Sequence, residues 1–323
     1  MAYDIFDTTE DNAKLKIVGL GAGGCKAIDY LMEHGDYEGC GISYTAIRNQ
    51  SDLISENNAE HTILIDQQIQ SADEDNNEIF NQSLSDSIGD QFADIDAFFI
   101  LADFRDSENI KLASSLGKVF INKDLLKHGF IVAIINQPAQ YEGKELQQQF
   151  EQGKQALLKY CDTVIVNSSE MILRDLNKNN KPVTDYFNQE FEANYQSIQI
   201  FIHTIVYVGL ICVDFSDVYA VVADMSEAIR LSAMESGDDR AIQAINKVLK
   251  EAEQEWGSLF NPEIEAVLVD ICAADMDLSE FDQIGDIICY AFSGSVRIKI
   301  ATALDDKLKD QMEVNVLVVK RKK

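Results

Sequence analysis

One group of residues in this sequence has the types and spacing that phosphate binding needs. Gly19, Gly21 and Gly24 follow the pattern Gly-x-Gly-x-x-Gly, after a short β-rich run and before apolar residues at helical spacing. Glycines let the backbone approach a pyrophosphate closely, and the N-terminus of the following helix supplies positive potential. Residues 19–24, which include Ala22 and Gly23, are therefore a candidate nucleotide-binding turn.

The residues after the second predicted strand bear on whether this turn holds a dinucleotide. A dinucleotide enzyme places an acidic side chain there to bind a ribose hydroxyl. Residues 46–50 contain Arg48 and no acidic residue, and no Tyr-x-x-x-Lys pair or Cys-His dyad stands in a credible position for redox chemistry. Arg48 could meet a ribose 2′-phosphate, so an NADP-binding enzyme stays open as an alternative.

Short apolar strands alternate with helical patterns through the first half of the chain. Strands are predicted at residues 14–18, 42–47, 61–65, 97–101, 130–135 and 163–167, and helices at 25–32, 110–118 and 145–160. The continuous apolar runs at 97–101 and 130–135 are typical of strands that are covered on both faces. This order predicts an α/β domain with a doubly wound parallel sheet, in which the glycine turn follows the first strand.

A long helix and a second domain are predicted to follow. Residues 186–208 contain no Pro or Gly and are apolar around most of the helical circumference, which predicts one long, largely buried helix. Beyond it we expect a loop at 212–217, helices at 218–232, 240–255 and 278–290, and strands at 266–271, 296–303 and 314–319. The predicted domains are 14–185, a central helix at 186–209, and a smaller C-terminal α/β domain at 210–323.

The composition argues against several classes of protein. Acidic side chains number 55 against 27 basic ones, and a net charge of −28 would repel nucleic acid. No apolar run approaches the roughly 20 residues that span a bilayer, and the acidic start is unlike a secretory signal, so we expect a cytoplasmic protein. The scattered cysteines lack zinc-site spacing, which predicts reduced, mostly buried thiols and no metal.

One basic run opposes this acidic trend. It consists of Lys320, Arg321, Lys322 and Lys323. Each basic residue close to an anionic lipid surface contributes about 1 kcal/mol to binding, so the run is a weak candidate for membrane contact. The alternative is a frayed, solvated chain end.

Several blocks of the sequence, taken in order, resemble segments of the FtsZ family, the bacterial relatives of tubulin. The similar blocks are residues 16–24, 133–138, 141–143, 209–218, 236–241, 267–271 and 278–288. The first resembles the family's first nucleotide loop, and 209–218, the most specific match, resembles the loop at the base of its central helix. The resemblance covers nearly the whole chain and implies a tubulin/FtsZ-like fold: a Rossmann-like domain, a central helix and a C-terminal domain.

The positions at which the family holds GTP are mostly different. A glycine- and threonine-rich run should follow the strand at 97–101, but residues 103–111 bring Asp103, Asp106 and Glu108 there, which Arg105 and Lys111 offset only partly. Carboxylates repel phosphate, and the lost glycines remove backbone freedom. The remaining departures are Lys26, Arg48, Asn49, Gln50, Leu146, Phe191, Glu192 and a third loop within 67–73 that has no glycine.

The residues that still match the family's nucleotide site form a vestigial pocket. Its residues are Gly19, Gly21, Ala22, Gly23, Gly24, Glu142 and Phe187. The resemblance therefore implies that GTP binding and hydrolysis are lost or strongly impaired, and we expect no cofactor.

The loop at the other end of the subunit keeps both of its acids, Asp214 and Asp217. In the family this loop reaches the nucleotide site of the next subunit, where its aspartates position or polarise the attacking water. The resemblance implies that these two residues would be catalytic in trans, if the chain has any catalytic residue. The alternative is that they cap a helix.

Three functions follow from the resemblance. The first is an FtsZ-like cytoskeletal protein that forms or joins head-to-tail filaments without GTP turnover, in cell division or membrane remodelling. The second is a cap or co-subunit that supplies Asp214 and Asp217 to a GTP-bearing FtsZ-type partner. The third is a divergent GTPase or an NADP-binding enzyme.

Overall fold

The chain divides into two units in a computed structural model of its 323 residues. The structure describes residues 13–321 except 36, 38, 50–57, 66–83, 85, 89–91, 93, 124–128, 179, 208, 224–225 and 293. By their contacts, Ala13–Ser197 form an N-terminal unit, and the chain from Ile198 onward forms a C-terminal unit. The domain limits given above stay a prediction.

A parallel sheet forms the centre of the N-terminal unit. Its described strands are β1 (Leu15–Leu20), β2 (Ile42–Asn49), β3 (His61–Ile65), β4 (Ala97–Ala102), β5 (Phe130–Asn136) and β6 (Thr163–Asn167). They lie in the order β3-β2-β1-β4-β5-β6, and every neighbouring pair is parallel. All residues of β1, β4, β5 and β6 are buried, which accounts for the continuous apolar runs of β4 and of β5 up to its last residue. The predicted doubly wound sheet is confirmed.

Helices connect or follow these strands. They are α1 (Gly21–His34), α2 (Glu108–Lys123), α3 (Lys144–Leu157), α4 (Ser169–Lys178) and α5 (Tyr186–Ile205), with 3₁₀ turns at Gln140–Glu142 and Val183–Asp185. On one side of the sheet, Phe98 stacks on Phe120 and Phe92, with ring centroids 4.5 and 5.4 Å apart. Such aromatic packing fixes the helix layer against the sheet.

The chain order of the strands produces a crevice at the carboxyl edge of this sheet. After β1 the chain moves outward to β2 and β3, and β4 then returns to the other side of β1. The segments that leave β1 and β4 therefore diverge, which opens a crevice where ligands of doubly wound sheets bind. This edge carries the glycine turn and residues 103–109.

The C-terminal unit is a smaller α/β layer. After the end of α5 come α6 (Phe215–Val222), β7 (Ser226–Ser236), α7 (Arg240–Trp256), β8 (Ile264–Ala273), α8 (Leu278–Ala291), β9 (Arg297–Leu304), a 3₁₀ turn at Asp306–Leu308 and β10 (Gln311–Arg321). The described strands lie in the order β7-β10-β8-β9. Strand β10 is antiparallel to β7 and β8, and β8 is parallel to β9.

The helix predicted at 218–232 is present only as far as Val222, and the prediction is wrong beyond that residue. Helix α6 ends at Val222, and Ser226–Ser236 is a strand that pairs with β10 along its whole length. Buried and less buried residues alternate over much of this strand, so the pattern has a period of two rather than 3.6. Ala, Met and Glu favour helix, but pairing with β10 outweighs their local propensity.

Four of the six cysteines are buried, in accordance with the prediction, whereas Cys212 and Cys289 are exposed. None of the six forms a disulfide. In the part of the chain that the structure describes, no helix is both long and apolar enough to cross a bilayer.

Candidate functional site

A pocket of about 480 Å³ lies at the carboxyl edge of the N-terminal sheet. The glycine turn and the end of β4 form one wall, and the start of α5 forms another. Its lining residues are Ala22, Gly23, Gly24, Lys26, Leu101, Ala102, Asp103, Asn136, Phe187, Asn188, Glu190, Phe191 and Asn194. The pocket therefore lies where a doubly wound sheet binds ligands.

Side chains of the same chain fill the space directly against the glycine turn. Gly21 has a φ of +65°, and a Cβ on it would lie 2.2 Å from the Oδ1 of Asn109. A Cβ on Gly23 would lie 2.7 Å from the Cβ of Asp103. The Asn109 amide donates to the Asp103 carbonyl at 2.8 Å, which holds the two residues together. Because glycine has no Cβ, the turn leaves room for Asp103 and Asn109 to pack directly against its backbone.

Arg105 joins three elements around the pocket. Its Nε and Nη2 donate to Glu142 at 2.7 and 2.9 Å, and its Nη2 and Nη1 donate to Glu190 at 2.7 and 3.2 Å. A further bond joins Nη1 to Asp103 at 3.3 Å, and the guanidinium lies 5.6 Å from the centre of the Phe187 ring. The loop after β4, the 3₁₀ turn after β5 and helix α5 are thus tied together by one side chain.

The charges of this network, which we call the Arg105 network, do not cancel. Three carboxylates, on Asp103, Glu142 and Glu190, face one guanidinium. Burial raises the pKa of Glu190 to about 7, although the hydrogen bonds from Arg105 oppose the rise. The same guanidinium lowers the pKa of Glu142, and the carboxylates raise the pKa of Arg105 against the effect of its own burial. The network is therefore net negative when Glu190 is ionised, and it is unfavourable for phosphate.

The buried amides of Asn136 and Asn194 line the pocket. The Nδ2 of Asn167 donates to the Oδ1 atoms of Asn136 and Asn194 at 3.1 and 2.9 Å. The hydroxyl of Ser197 lies 3.1 Å from the Oδ1 of Asn167, and all four residues are buried. Together these bonds connect the ends of β5 and β6 to helix α5.

Similarity to known proteins covers nearly the whole chain. The model of the FtsZ family, C-terminal domain, matches residues 227–320. The cell division protein FtsZ of Buchnera aphidicola subsp. Baizongia pistaciae is 28% identical over 317 residues, which cover 95% of this chain and 79% of the relative. FtsZ of Coxiella burnetii is 25% identical over 323 residues, which cover 98% of this chain and 81% of the relative. The chain is an FtsZ-like protein.

Solved structures support the FtsZ/tubulin fold. A mutant of M. jannaschii FtsZ superposes with a TM-score of 0.79 at 21% identity, and the match covers 96% of each chain. A structure described as a protofilament of CetZ2 from Haloferax volcanii, with GTPγS bound, superposes with a TM-score of 0.68 at 17% identity and covers 96% of this chain and 94% of that one. The predicted FtsZ-like fold, with a Rossmann-like N-terminal domain and a C-terminal domain, is confirmed.

The residues predicted for the pocket are only partly brought together in the FtsZ-like chain. Ala22, Gly23, Gly24 and Phe187 line it. Gly21 packs against Asn109, whereas a Cβ on Gly19 would lie 2.4 Å from the carbonyl oxygen of Gly24, so that glycine serves the packing of the turn. Glu142 is held by Arg105 and does not line the pocket.

Several other positions at which the sequence differs from the FtsZ family lie on or near the pocket. Lys26 and Phe191 line it, and Glu192 accepts hydrogen bonds from Tyr30 and Gln196. Arg48 lies half-buried near the end of β2. Gln50 and the third loop at 67–73 lie outside the described residues.

Asp214 and Asp217 have local partners within the C-terminal unit. Asp214 is the N-cap of α6: its Oδ1 accepts from the backbone N–H of Asp217 and from the Ser216 hydroxyl, each at 2.7 Å. These bonds, with the Ser216 hydroxyl contributing most, lower the pKa of Asp214. Asp217 forms an ion pair with Lys299 of β9. Asp214 therefore caps helix α6, as the alternative interpretation predicts. A catalytic role of Asp214 and Asp217 in a neighbouring subunit stays a prediction.

Half of the basic C-terminal run is engaged by carboxylates. Lys320 pairs with Glu263 at 3.0 Å, and Arg321 pairs with Glu265 at 3.2 Å. Lys322 and Lys323 lie outside the described residues. Membrane contact by this run stays a prediction.

The main functional feature that the sequence does not reveal is the Arg105 network. In the sequence Arg105 stands out only as a partial offset to neighbouring acids, and Glu190 does not stand out at all. The signal that could have found the pair is a lone arginine in a segment of three acids, which has to find carboxylates when the segment is buried.

Proposed function

We propose that this FtsZ-like protein is a filament subunit, or a partner of filaments, that associates head to tail without binding or hydrolysing GTP. One observation carries the proposal: Asp103 and Asn109 occupy the space directly against the glycine turn, and Arg105 bonds to Asp103. A triphosphate at the turn would have to displace these two side chains, and its charge would face the carboxylate of Asp103.

The relatives support the assembly part of the proposal. The similar proteins of Buchnera aphidicola and Coxiella burnetii are cell division proteins, and the solved structures include a CetZ2 protofilament and an empty FtsZ dimer. We place the protein in the cytoplasm, in cell division or membrane remodelling. A head-to-tail contact repeats along one direction and therefore builds a linear polymer.

Electron microscopy and pelleting, with and without GTP, test this proposal. Purified protein should form the same amount of filament in both conditions, and isothermal titration with GTP should give no binding heat. Filaments that require GTP, or GTP turnover above that of buffer, would overturn it.

A surface variant identifies the contact. We expect Leu210→Asp to reduce pelleting strongly, because the side chain is 62% exposed in the loop that resembles the family's inter-subunit loop. Phe260→Asp is the matched control, since Phe260 is also 62% exposed but lies in another loop of the C-terminal unit. Equal loss of assembly in both variants would argue against a contact through residues 209–217.

The co-subunit function is a second candidate, because Asp214 is exposed and carries a lowered pKa that keeps it ionised. In that case the protein should stimulate the GTPase of an FtsZ that binds GTP. Asp214→Asn should abolish the stimulation while co-pelleting persists, and a protein that changes no GTPase rate would exclude this function.

A further inference from the structure

A buried ion pair joins the last turn of α5 to the C-terminal sheet. The Nδ1 of His203 lies 2.9 Å from the Oδ2 of Asp270 in β8, and the two side chains are 4% and 0% exposed. The Nδ2 of Asn315 in β10 lies 3.5 Å from the same oxygen, which is long for a hydrogen bond. Among the described residues, the Oδ1 of Asp270 has no hydrogen-bond partner. His203 is therefore the main partner of a fully buried carboxylate.

The charged groups around His203 favour its protonated form. Burial alone would lower the pKa of His203, but the charge of Asp270 and its hydrogen bond raise that pKa above 6.5. Glu313 of β10 and Asp305, which follows β9, add to the rise, and the neutral ring of Tyr207 packs edge to face at 5.6 Å. Stability from the pair is therefore complete below pH 6.5 and is lost as the pH rises through the raised pKa.

The segment that follows His203 is anchored at both of its ends on adjacent strands. Asp270 lies opposite Ala301 where β8 pairs with β9. The next residue of β9, Thr302, exchanges hydrogen bonds of 3.0 and 2.9 Å with Ile211. Neighbouring positions of one sheet thus hold the segment at His203 and at Ile211. The first anchor depends on a proton, and the second does not.

We propose that the His203–Asp270 pair is a proton-dependent latch that holds the loop after α5 in the conformation that subunit assembly uses. With the ring protonated, the latch is closed and the loop presents Leu210, which is 62% exposed. When the ring loses its proton, a buried carboxylate is left without a cation, and the end of α5 separates from β8 to let water reach it. The inference rests on the proposed function, because it takes residues 209–217 as the subunit contact.

Nuclear magnetic resonance and hydrogen exchange test the latch on the full chain, in low salt where the protein is unassembled. Among the four histidines, the ring signal that is absent from His203→Gln identifies His203, and its titration midpoint should lie above 6.5. The N–H groups of Val206 and Tyr207, which bond to the Ile202 carbonyl, should lose roughly tenfold in protection when the pH passes this midpoint.

Pelleting at about one pH unit below and above the midpoint tests the link to assembly. His203→Gln cannot be protonated, so at the lower pH its critical concentration should exceed that of the wild type roughly fivefold or more, and at the higher pH the two should agree. His34→Gln, at an exposed histidine of α1, is the matched control and should follow the wild type at both values. Comparison at equal pH cancels the titration of Glu190 and of the surface, which all three proteins share.

The outcomes separate the latch from the proposed function. A His203 ring that does not titrate while the protein stays folded, or protection that is unchanged across the midpoint, would overturn the inference whether or not filaments form. The same ratio of critical concentrations at both pH values would show that His203→Gln only lowers stability, and it would overturn the inference as well. Filaments that require GTP would overturn the proposed function alone, since pelleting with GTP present still tests the latch.

Discussion

Arg105 is the residue that joins the elements around the pocket. It makes five hydrogen bonds to the side chains of Asp103, Glu142 and Glu190, and it is largely buried. Removing one partner of a buried ion pair leaves the other charges without compensation, which costs more than the pair contributes. The network is therefore a weak source of net stability but a strong constraint on the conformation of three elements.

Arg105→Ala should lower the free energy of unfolding by about 2–4 kcal/mol at pH 8, because it leaves buried carboxylates without their guanidinium. The loss should be smaller at pH 5.5, where Glu190 is protonated. Urea denaturation at the two pH values measures both effects. Arg297→Ala, at an exposed arginine of the C-terminal unit, is the control and should change stability little. An equal loss at both pH values would contradict the network as described.

Glu190 gives the protein a specific pH dependence. Its pKa is raised from 4.5 to about 7 by burial, so between these values the native state binds more protons than the unfolded chain. Stability from this group is therefore present at low pH and falls as the pH rises from 4.5 through 7.

Glu190→Gln should remove this dependence, because the amide cannot ionise. Between pH 5 and pH 7.5 the wild-type protein should lose about 2–3 kcal/mol relative to the variant. Urea titrations across that range give the difference. Glu253→Gln, at an exposed position on α7, should leave the wild-type pH profile intact; parallel profiles for wild type and Glu190→Gln would show that Glu190 does not titrate there.

At the scale of the element, the loop after α5 is held by a close backbone approach at Gly209. A Cβ at this position would lie 1.5 Å from the carbonyl oxygen of Thr302 in β9. Two bonds fix the same contact: the Thr302 N–H donates to the Ile211 carbonyl at 3.0 Å, and the Ile211 N–H donates to the Thr302 hydroxyl at 2.9 Å. The loop that carries Asp214 therefore depends on the absence of a side chain at Gly209.

Gly209→Ala should destabilise the C-terminal unit by about 2–3 kcal/mol, because neither backbone can move away without breaking these bonds. Differential scanning calorimetry measures the change. Gly294→Ala is the matched control, since a Cβ there would meet no atom within 4 Å. If the two variants melt alike, residues 209–211 do not pack on β9 as described.

The sequence predicts a helix or strand correctly where a local pattern of apolar residues determines it. Strand β4 is apolar throughout, and β5 is apolar up to its last residue, because both faces are covered; this signal is local. Part of strand β7 is predicted wrongly as helix because its pairing with β10 joins residues about 75 to 95 positions apart, a separation that local propensity does not report.

The site is harder to predict than the fold for the same reason. Arg105 is 37 residues from Glu142 and 85 from Glu190, so no short motif contains the network. The glycine turn is correctly predicted at the sheet edge, but its spacing does not reveal that Asp103 and Asn109 cover it. The resemblance to FtsZ implies which positions of the pocket differ from the family, and the structure shows which side chains stand near the glycine turn.

For the whole molecule, the dominant property is the net charge of −28. Copies of such a chain repel one another, and salt screens this repulsion over a Debye length of about 10 Å at 0.1 M. If subunits associate without GTP, no nucleotide-driven step offsets the repulsion. The balance between subunit contacts and charge then decides assembly.

The pelleted fraction should therefore increase when KCl is raised from about 0.05 M to about 0.3 M, with and without GTP, because screening weakens the repulsion between copies. Pelleting at several protein concentrations gives the critical concentration, which should fall with salt. Leu210→Asp should stay in the supernatant throughout, which separates filament formation from nonspecific precipitation. A critical concentration that rises with salt would instead mean that attraction between opposite charges dominates the contact, as it would if Lys299 left Asp217 to reach the acidic pocket of a neighbouring copy.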